Sequence, residues 1–181
     1  MQKITKTFQN FKKMPWKNGM GITYEVDIFP QEATLIDLNF DFRISMALVA
    51  CENQFSKFLG MERYLTVIKG TGIKFNQKQI KFLEIMPFSG QEEIASGPIK
   101  PGEENLDLGV IYNPNKVNCE MSKLELIKDE KFKINYKYNY FFQIKNDAYV
   151  DCLKIVLDPN EFEAMIDLPR GTWIYIAIKR D

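Results

Sequence analysis

Histidine is absent from all 181 residues. Without an imidazole, no side chain ordinarily takes and returns a proton near pH 7, which excludes Ser-His-Asp and Cys-His nucleophilic systems. The His-rich shells typical of zinc, copper and non-haem iron go with them. A general base must be Asp, Glu, Lys, Tyr or a thiolate. An excess of charge is also missing, since 24 Lys and Arg balance 24 Asp and Glu. No net field draws such a chain to nucleic acid or to an anionic membrane, so neither is expected as a partner. No apolar run approaches the length that spans a bilayer, and the opening MQKITKTFQNFKKMPW holds no signal-peptide core. Cysteine is scarce: Cys51, Cys119 and Cys152 are odd in number, widely spaced and set among apolar neighbours. They read as reduced, buried small hydrophobes rather than a disulfide framework or a zinc site. A cytoplasmic protein without metal or cofactor is expected.

Helix signals are few. Asp158-Pro159-Asn160-Glu161 has the cap-and-proline order of a helix start and predicts one short helix carrying Phe162 and Met165. A single helical turn is expected within 55–61. What dominates is alternation of period two. Ile22, Tyr24, Val26 and Ile28 oppose Thr23, Glu25 and Asp27, while Phe42, Ile44, Met46 and Leu48 oppose Arg43, Ser45 and Ala47. Similar runs cover 63–68, 132–140 and 173–178, with a hairpin loop expected at 76–79 and turns at 69–72, 96–104, 113–116 and 169–171. Many short strands with one polar face predict an all-β antiparallel barrel or sandwich.

The stretch Tyr64-Leu65-Thr66-Val67-Ile68-Lys69-Gly70-Thr71-Gly72 aligns with Tyr140-Phe141-Phe142-Gln143-Ile144-Lys145-Asn146-Asp147-Ala148. Each is an aromatic-led strand running into a Lys-containing turn, which suggests two related barrel halves. Pro98, Pro101, Gly102, Glu103 and Glu104 read as exposed linker and place the seam near 100–106. One compact unit over 1–181 is expected, with halves at 1–105 and 106–181.

Pro15-Trp16-Lys17-Asn18-Gly19-Met20-Gly21-Ile22-Thr23-Tyr24-Glu25 resembles the N-terminal signature of the HutD/Ves family. A second block, Phe42-Arg43-Ile44-Ser45-Met46-Ala47 followed by Phe55-Ser56, Gly60 and Arg63, is similar as well. A third, weaker one comprises Pro87-Phe88, Gly90, Gly97-Pro98 and Leu106-Asp107-Leu108. The resemblance implies a cupin-like double-stranded β-helix in two halves, a bicupin, often encoded with histidine-utilisation enzymes. It implies no established reaction, and a regulatory, metabolite-sensing role. Two departures stand out: Met20 replaces the middle glycine of the glycine run, and Gly109 stands where the family carries asparagine.

Thr23 and Glu25 share one strand face, and Arg43 and Ser45 share another, as expected of a pocket wall. An arginine fork holds a carboxylate by two parallel bonds, and a glutamate accepts from an amine or imidazole. Asn18, Thr23, Glu25, Arg43, Ser45 and Arg63 are the candidate ligand-binding residues. The expected partner is a small-molecule carboxylate with a nitrogenous group; a homodimer is compatible with this. The plainer alternatives are a Glu25–Arg43 surface pair and a turn-stabilising Arg63. An Arg43 left unpaired would be dispensable for folding, whereas an Arg43 locked to Glu25 would be structural. Tyr136, Tyr138 and Tyr140 read as a packed sheet face, and Trp16 as a core or rim aromatic. Two other functions remain open: a metal-independent isomerase or epimerase using Glu25 or a tyrosine, and a protein-interaction module with a filled barrel.

Overall fold

The computed structural model describes residues 1–16, 19, 21–145 and 150–180. In chain order the strands are β1 (Gln2–Lys6), β2 (Lys12–Pro15), β3 (Gly21–Phe29), β4 (Phe42–Val49), β5 (Asn53–Gln54) and β6 (Glu62–Lys69). There follow β7 (Gly72–Phe75), β8 (Lys78–Lys81), β9 (Ile85–Ser89), β10 (Ala95–Pro98), β11 (Asn105–Tyr112) and β12 (Val117–Leu126). The last are β13 (Glu130–Ile134), β14 (Tyr138–Ile144), β15 (Cys152–Val156), β16 (Ala164–Leu168) and β17 (Gly171–Arg180). Among the described residues the only helical element is a 3-10 turn over Phe8–Asn10. The all-β expectation holds.

Contacts divide the chain into two compact units, Lys12–Asn115 and Met1–Phe11 together with Lys116–Asp181. In the first unit a six-stranded sheet, β2-β3-β4-β11-β6-β9, accompanies a four-stranded sheet, β5-β10-β7-β8. Between them lies an apolar cluster of Val49, Leu65, Val67, Ile73, Phe75, Ile80, Phe88 and Ile94. The second unit pairs a five-stranded sheet, β1-β15-β14-β17-β12, with the two strands β13-β16. Two units of facing antiparallel sheets are the cupin-like, bicupin arrangement.

Several local expectations are corrected. The chain leaves the first unit at 113–116 and not at 105/106, because β11 inserts between β4 and β6 and pairs with both. The stretch read as exposed linker is partly β10, in which Ser96, Gly97 and Pro98 are buried. No helix forms after Asp158: its N–H donates to Glu161 Oε2 at 2.9 Å in a local turn, and the chain then extends into β16 against β13. Residues 55–61 likewise hold no helical turn, only a bend closed by Met61 N–H on the Phe58 carbonyl at 3.2 Å. The run through 132–140 is two strands in different sheets, broken where the Asn139 side chain donates to the Tyr136 carbonyl at 2.7 Å. The hairpin is tighter than expected, with Phe75 opposite Lys78 and Asn76 at φ 55°. Cys119 and Cys152 are buried, but Cys51 is half-exposed. Burial pushes the Cys119 thiol up, far from its reactive range. Among the described residues, no helix is long and apolar enough to cross a membrane.

Candidate functional site

The site lies on the inner face of the six-stranded sheet, and pairing register decides who meets whom. Directly opposed residues on antiparallel strands point to the same side. Glu25 on β3 faces Ser45 on β4, which faces Gly109 on β11, which faces Leu65 on β6. Alternation then adds Thr23, Arg43, Ala47, Asp107 and Arg63 to that side. So five of the six expected residues, Thr23, Glu25, Arg43, Ser45 and Arg63, fall on one face. Asn18 lies outside the described residues, as does Met20.

A bulge sets the partner of Arg43. The β3–β4 register shifts between Glu25 and Asp27, so that Ile28 and not Asp27 stands opposite Arg43. The regular alternation read from sequence over 22–28 therefore fails after Val26: Asp27 turns to the other face. Ile28 turns inward onto the cluster of Ala33, Phe40, Phe58, Met61 and Ile111. Glu25 is left as the acid beside Arg43. Arg43 Nε donates to Glu25 Oε2 at 2.7 Å, one terminal nitrogen to Ser45 Oγ at 3.2 Å, and the other approaches Met14 Sδ at 3.5 Å. The Arg43 and Glu25 side chains are 4% and 10% exposed. This is an inner, nearly buried pair, not the surface pair that sequence allowed, and Arg43 is not unpaired. Lys12, from the edge strand, reaches Glu25 Oε1 only at 3.9 Å.

Arg63 is held differently. Its guanidinium lies 5.1, 5.3 and 4.8 Å from the ring centres of Phe55, Phe58 and Phe88. It makes one 3.3 Å bond to the Ser56 carbonyl. Such faces attract a cation without neutralising it. Among the described residues no carboxylate forms an ion pair with Arg63. Burial and the Arg43 charge pull its pKa down to about 10, with Asp107 opposing, and it stays charged at neutral pH.

Thr23 is placed by the signature. Trp16 Nε1 donates to Thr23 Oγ1 at 2.8 Å, and the indole lies against Gly21, where a Cβ would meet the ring at 2.7 Å. The second glycine of the Gly-x-Gly run thus makes room for the tryptophan beside the strand, a rim role rather than a ligand platform.

Asp107 was missed as a site residue. Its sequence signal is a single acid between Leu106 and Leu108 on a strand with an apolar opposite face. It is 4% exposed, and its Oδ1 accepts the Ala47 N–H at 3.0 Å. Burial raises its pKa to about 7, against the pull of that N–H and of Arg63.

The centre of the face is small. Ser45, Ala47 and Gly109 occupy the middle strands and are half-exposed. Solvent thus reaches the middle of this face between the charged groups, while Leu65, opposite Gly109, is buried. Among the described residues, no cluster of three or more Cys, Asp or Glu side chains could hold a metal ion.

This arrangement defines a two-unit, cupin-like protein with a polar inner face in its first unit. The chain belongs to the HutD family, whose model matches residues 8–160. It is 29% identical over 120 residues to Protein Ves of Escherichia fergusonii, covering 62% of this chain and 60% of that protein. It is 28% identical over 118 residues to an uncharacterised 21.2 kDa protein from the hutC 3′ region of Pseudomonas putida, with the same coverage. The match thus spans about three-fifths of those relatives. In fold it is similar to a conserved protein of unknown function from Pseudomonas aeruginosa, with TM-score 0.84, 18% identity, and 99% and 100% of the two chains covered. It is also similar to HutD from Pseudomonas fluorescens, with TM-score 0.80, 22% identity and the same coverage.

Proposed function

We propose that the first unit binds a small carboxylate metabolite carrying a nitrogenous group, and that binding serves regulation rather than turnover. The observation that carries the reading is Arg63: a guanidinium fixed over three rings, without a carboxylate partner among the described residues, on the same face as half-exposed Ser45, Ala47 and Gly109. A cation kept in place by aromatic faces retains its donors for an incoming anion. Arg43, already committed to Glu25, shapes the wall and presents that carboxylate to a ligand N–H. A histidine-degradation intermediate is the natural candidate, because relatives carry hut-associated names. Commitment of Glu25 to Arg43 also disfavours it as a catalytic base.

The test is a thermal shift with urocanate, N-formylglutamate and formiminoglutamate, with product analysis after long incubation. At least one should raise Tm, and none should be consumed. Arg63→Ala should weaken binding by about 30- to 150-fold, the loss of one charge-assisted pair. Turnover of any of them would make the protein an enzyme. Binding untouched by Arg63→Ala would displace the site.

A further inference from the structure

The inner face of the first unit carries two acids and two guanidinium groups, but only one couple is closed. Glu25 and Arg43 satisfy each other at 2.7 Å. Arg63 rests on rings and a carbonyl. Asp107 has one neutral donor, the Ala47 N–H, and no ion pair among the described residues. A carboxylate so buried lacks what its charge demands, and the usual remedy is to hold a proton.

Facing Asp107 from β4 come Ala47 directly opposite and Arg43 further along; from β3, Thr23 and Glu25. From β6 come Val67 opposite and Arg63 four residues away on the same face. Along β11 itself, Asn105 turns its Oδ1 to the Gly72 N–H at 3.0 Å, while Gly109 offers no side chain at all. The facing sheet turns apolar Ile73, Phe75 and Ile80 inward, together with the uncharged hydroxyl of buried Ser96 opposite Phe75. Lys12 lies beyond Glu25 at the edge. Gly109 and the Leu65 side chain opposite it lie between Asp107 and Arg63, and a Cβ on Gly109 would stand 3.3 Å from the Tyr64 carbonyl oxygen and 3.4 Å from Leu65 Cδ1.

We infer that Asp107 is a ligand-contacting residue of this site and engages the carboxylate ligand in its protonated form. Its O–H donates to a ligand oxygen lying over half-exposed Gly109 while Arg63 meets the ligand's charge. This rests on the carboxylate-binding reading above. Burial already lifts Asp107 to about 7. A bound anion raises it further, since two neighbouring carboxylates do not both ionise in a dry site. Association therefore takes one proton from solvent. Because the chain has no histidine, no imidazole confuses that signal.

The experiment is calorimetric titration with N-formylglutamate, whose carboxyls stay ionised from pH 6 to 9. It is run in buffers of different ionisation enthalpy so that proton uptake is counted. The wild type should take up close to one proton at pH 8, and its affinity should fall about tenfold per pH unit above 7. Asp107→Asn keeps a donor at the same place through its amide. Its affinity should be flat from pH 6 to 9 and exceed the wild type at pH 8.5. A flat wild-type profile, or a slope that survives in Asp107→Asn, would overturn the inference while leaving carboxylate binding intact. A 13C titration of the free protein that puts the Asp107 carboxyl below pH 5 would also overturn it. No binding at any pH would remove the carboxylate reading, and this inference with it.

Discussion

The two units share one architecture but fill the middle of their inner faces differently. In the second, Phe141 stacks on Tyr175 with ring centres 4.6 Å apart, and Phe132 packs edge-on against both at 5.7 and 5.3 Å. Ile134, Ile155, Leu157, Ile166, Leu168 and Trp173 close the rest of that space. In the first, the corresponding middle strands carry Ser45, Ala47 and Gly109, ringed by Glu25, Arg43, Asp107 and Arg63. Large aromatic side chains fill a core and earn stability through burial; small residues forgo that contribution and leave room. A chain of two similar halves can thus keep one as a packed scaffold and the other as a binding surface.

The sharpest break of this contrast is Phe141→Ala. Emptying a filled interior costs about 3–5 kcal/mol for a buried phenylalanine, and denaturant melts should show it in full. A loss under 1 kcal/mol would mean that the second unit is not close-packed. Arg43→Ala should come next. It strands Glu25 in a nearly buried position and costs about 3 kcal/mol, more than Glu25→Gln, which leaves an oxygen to accept from Arg43. If Arg43→Ala melts like the wild type, the pair is not structural.

A pH series sharpens the comparison electrostatically. Asp107 has a folded pKa near 7, above its ordinary 3.8. Between those values the unfolded chain binds fewer protons than the folded one, so stability falls as pH rises from about 4 to 7 and stays lower beyond. The melting temperature of Asp107→Asn minus that of wild type should grow across that interval and then level off. Smaller still is Gly21→Ala, whose Cβ collides with the Trp16 ring and should cost about 1–3 kcal/mol by overpacking. The smallest effect is expected for Gly109→Ala: a Cβ 3.3 Å from the Tyr64 carbonyl oxygen is slightly too close, and the small shift it demands should cost about 1 kcal/mol or less. The same methyl group should nevertheless weaken N-formylglutamate binding, which a parallel calorimetric titration would show.

Much of this is legible in the sequence. Period-two alternation put Thr23 with Glu25 and Arg43 with Ser45, because side-chain direction in a strand is a local property. The family blocks added Arg63. What alternation does not contain is which strands adjoin. β11 pairs with β4 and β6 across some forty to sixty residues of sequence, so local reading assigned it to the wrong half and passed over Asp107. Aromatic stacking around Arg63 was equally hidden, since Phe55, Phe58 and Phe88 converge only after β9 folds back on β6. The helix expected after Asp158 failed for a related reason. Its start signal was real and built a turn, but pairing of Ala164–Leu168 with β13 outweighed local propensity.

The bulge at Val26 has a consequence for how such sites diverge. Were Val26 drawn into the ladder opposite Ile44, the rest of β3 would slide by one residue and bring Asp27 opposite Arg43, while withdrawing Ile28 from its cluster. That slip of register would place a second carboxylate on the wall beside Arg43 and turn the charge of this face toward negative. No exchange of side chains would be required. A shift of register at the bulge, rather than substitution of the wall residues, is then a short route by which one lineage of such proteins could change the charge it presents.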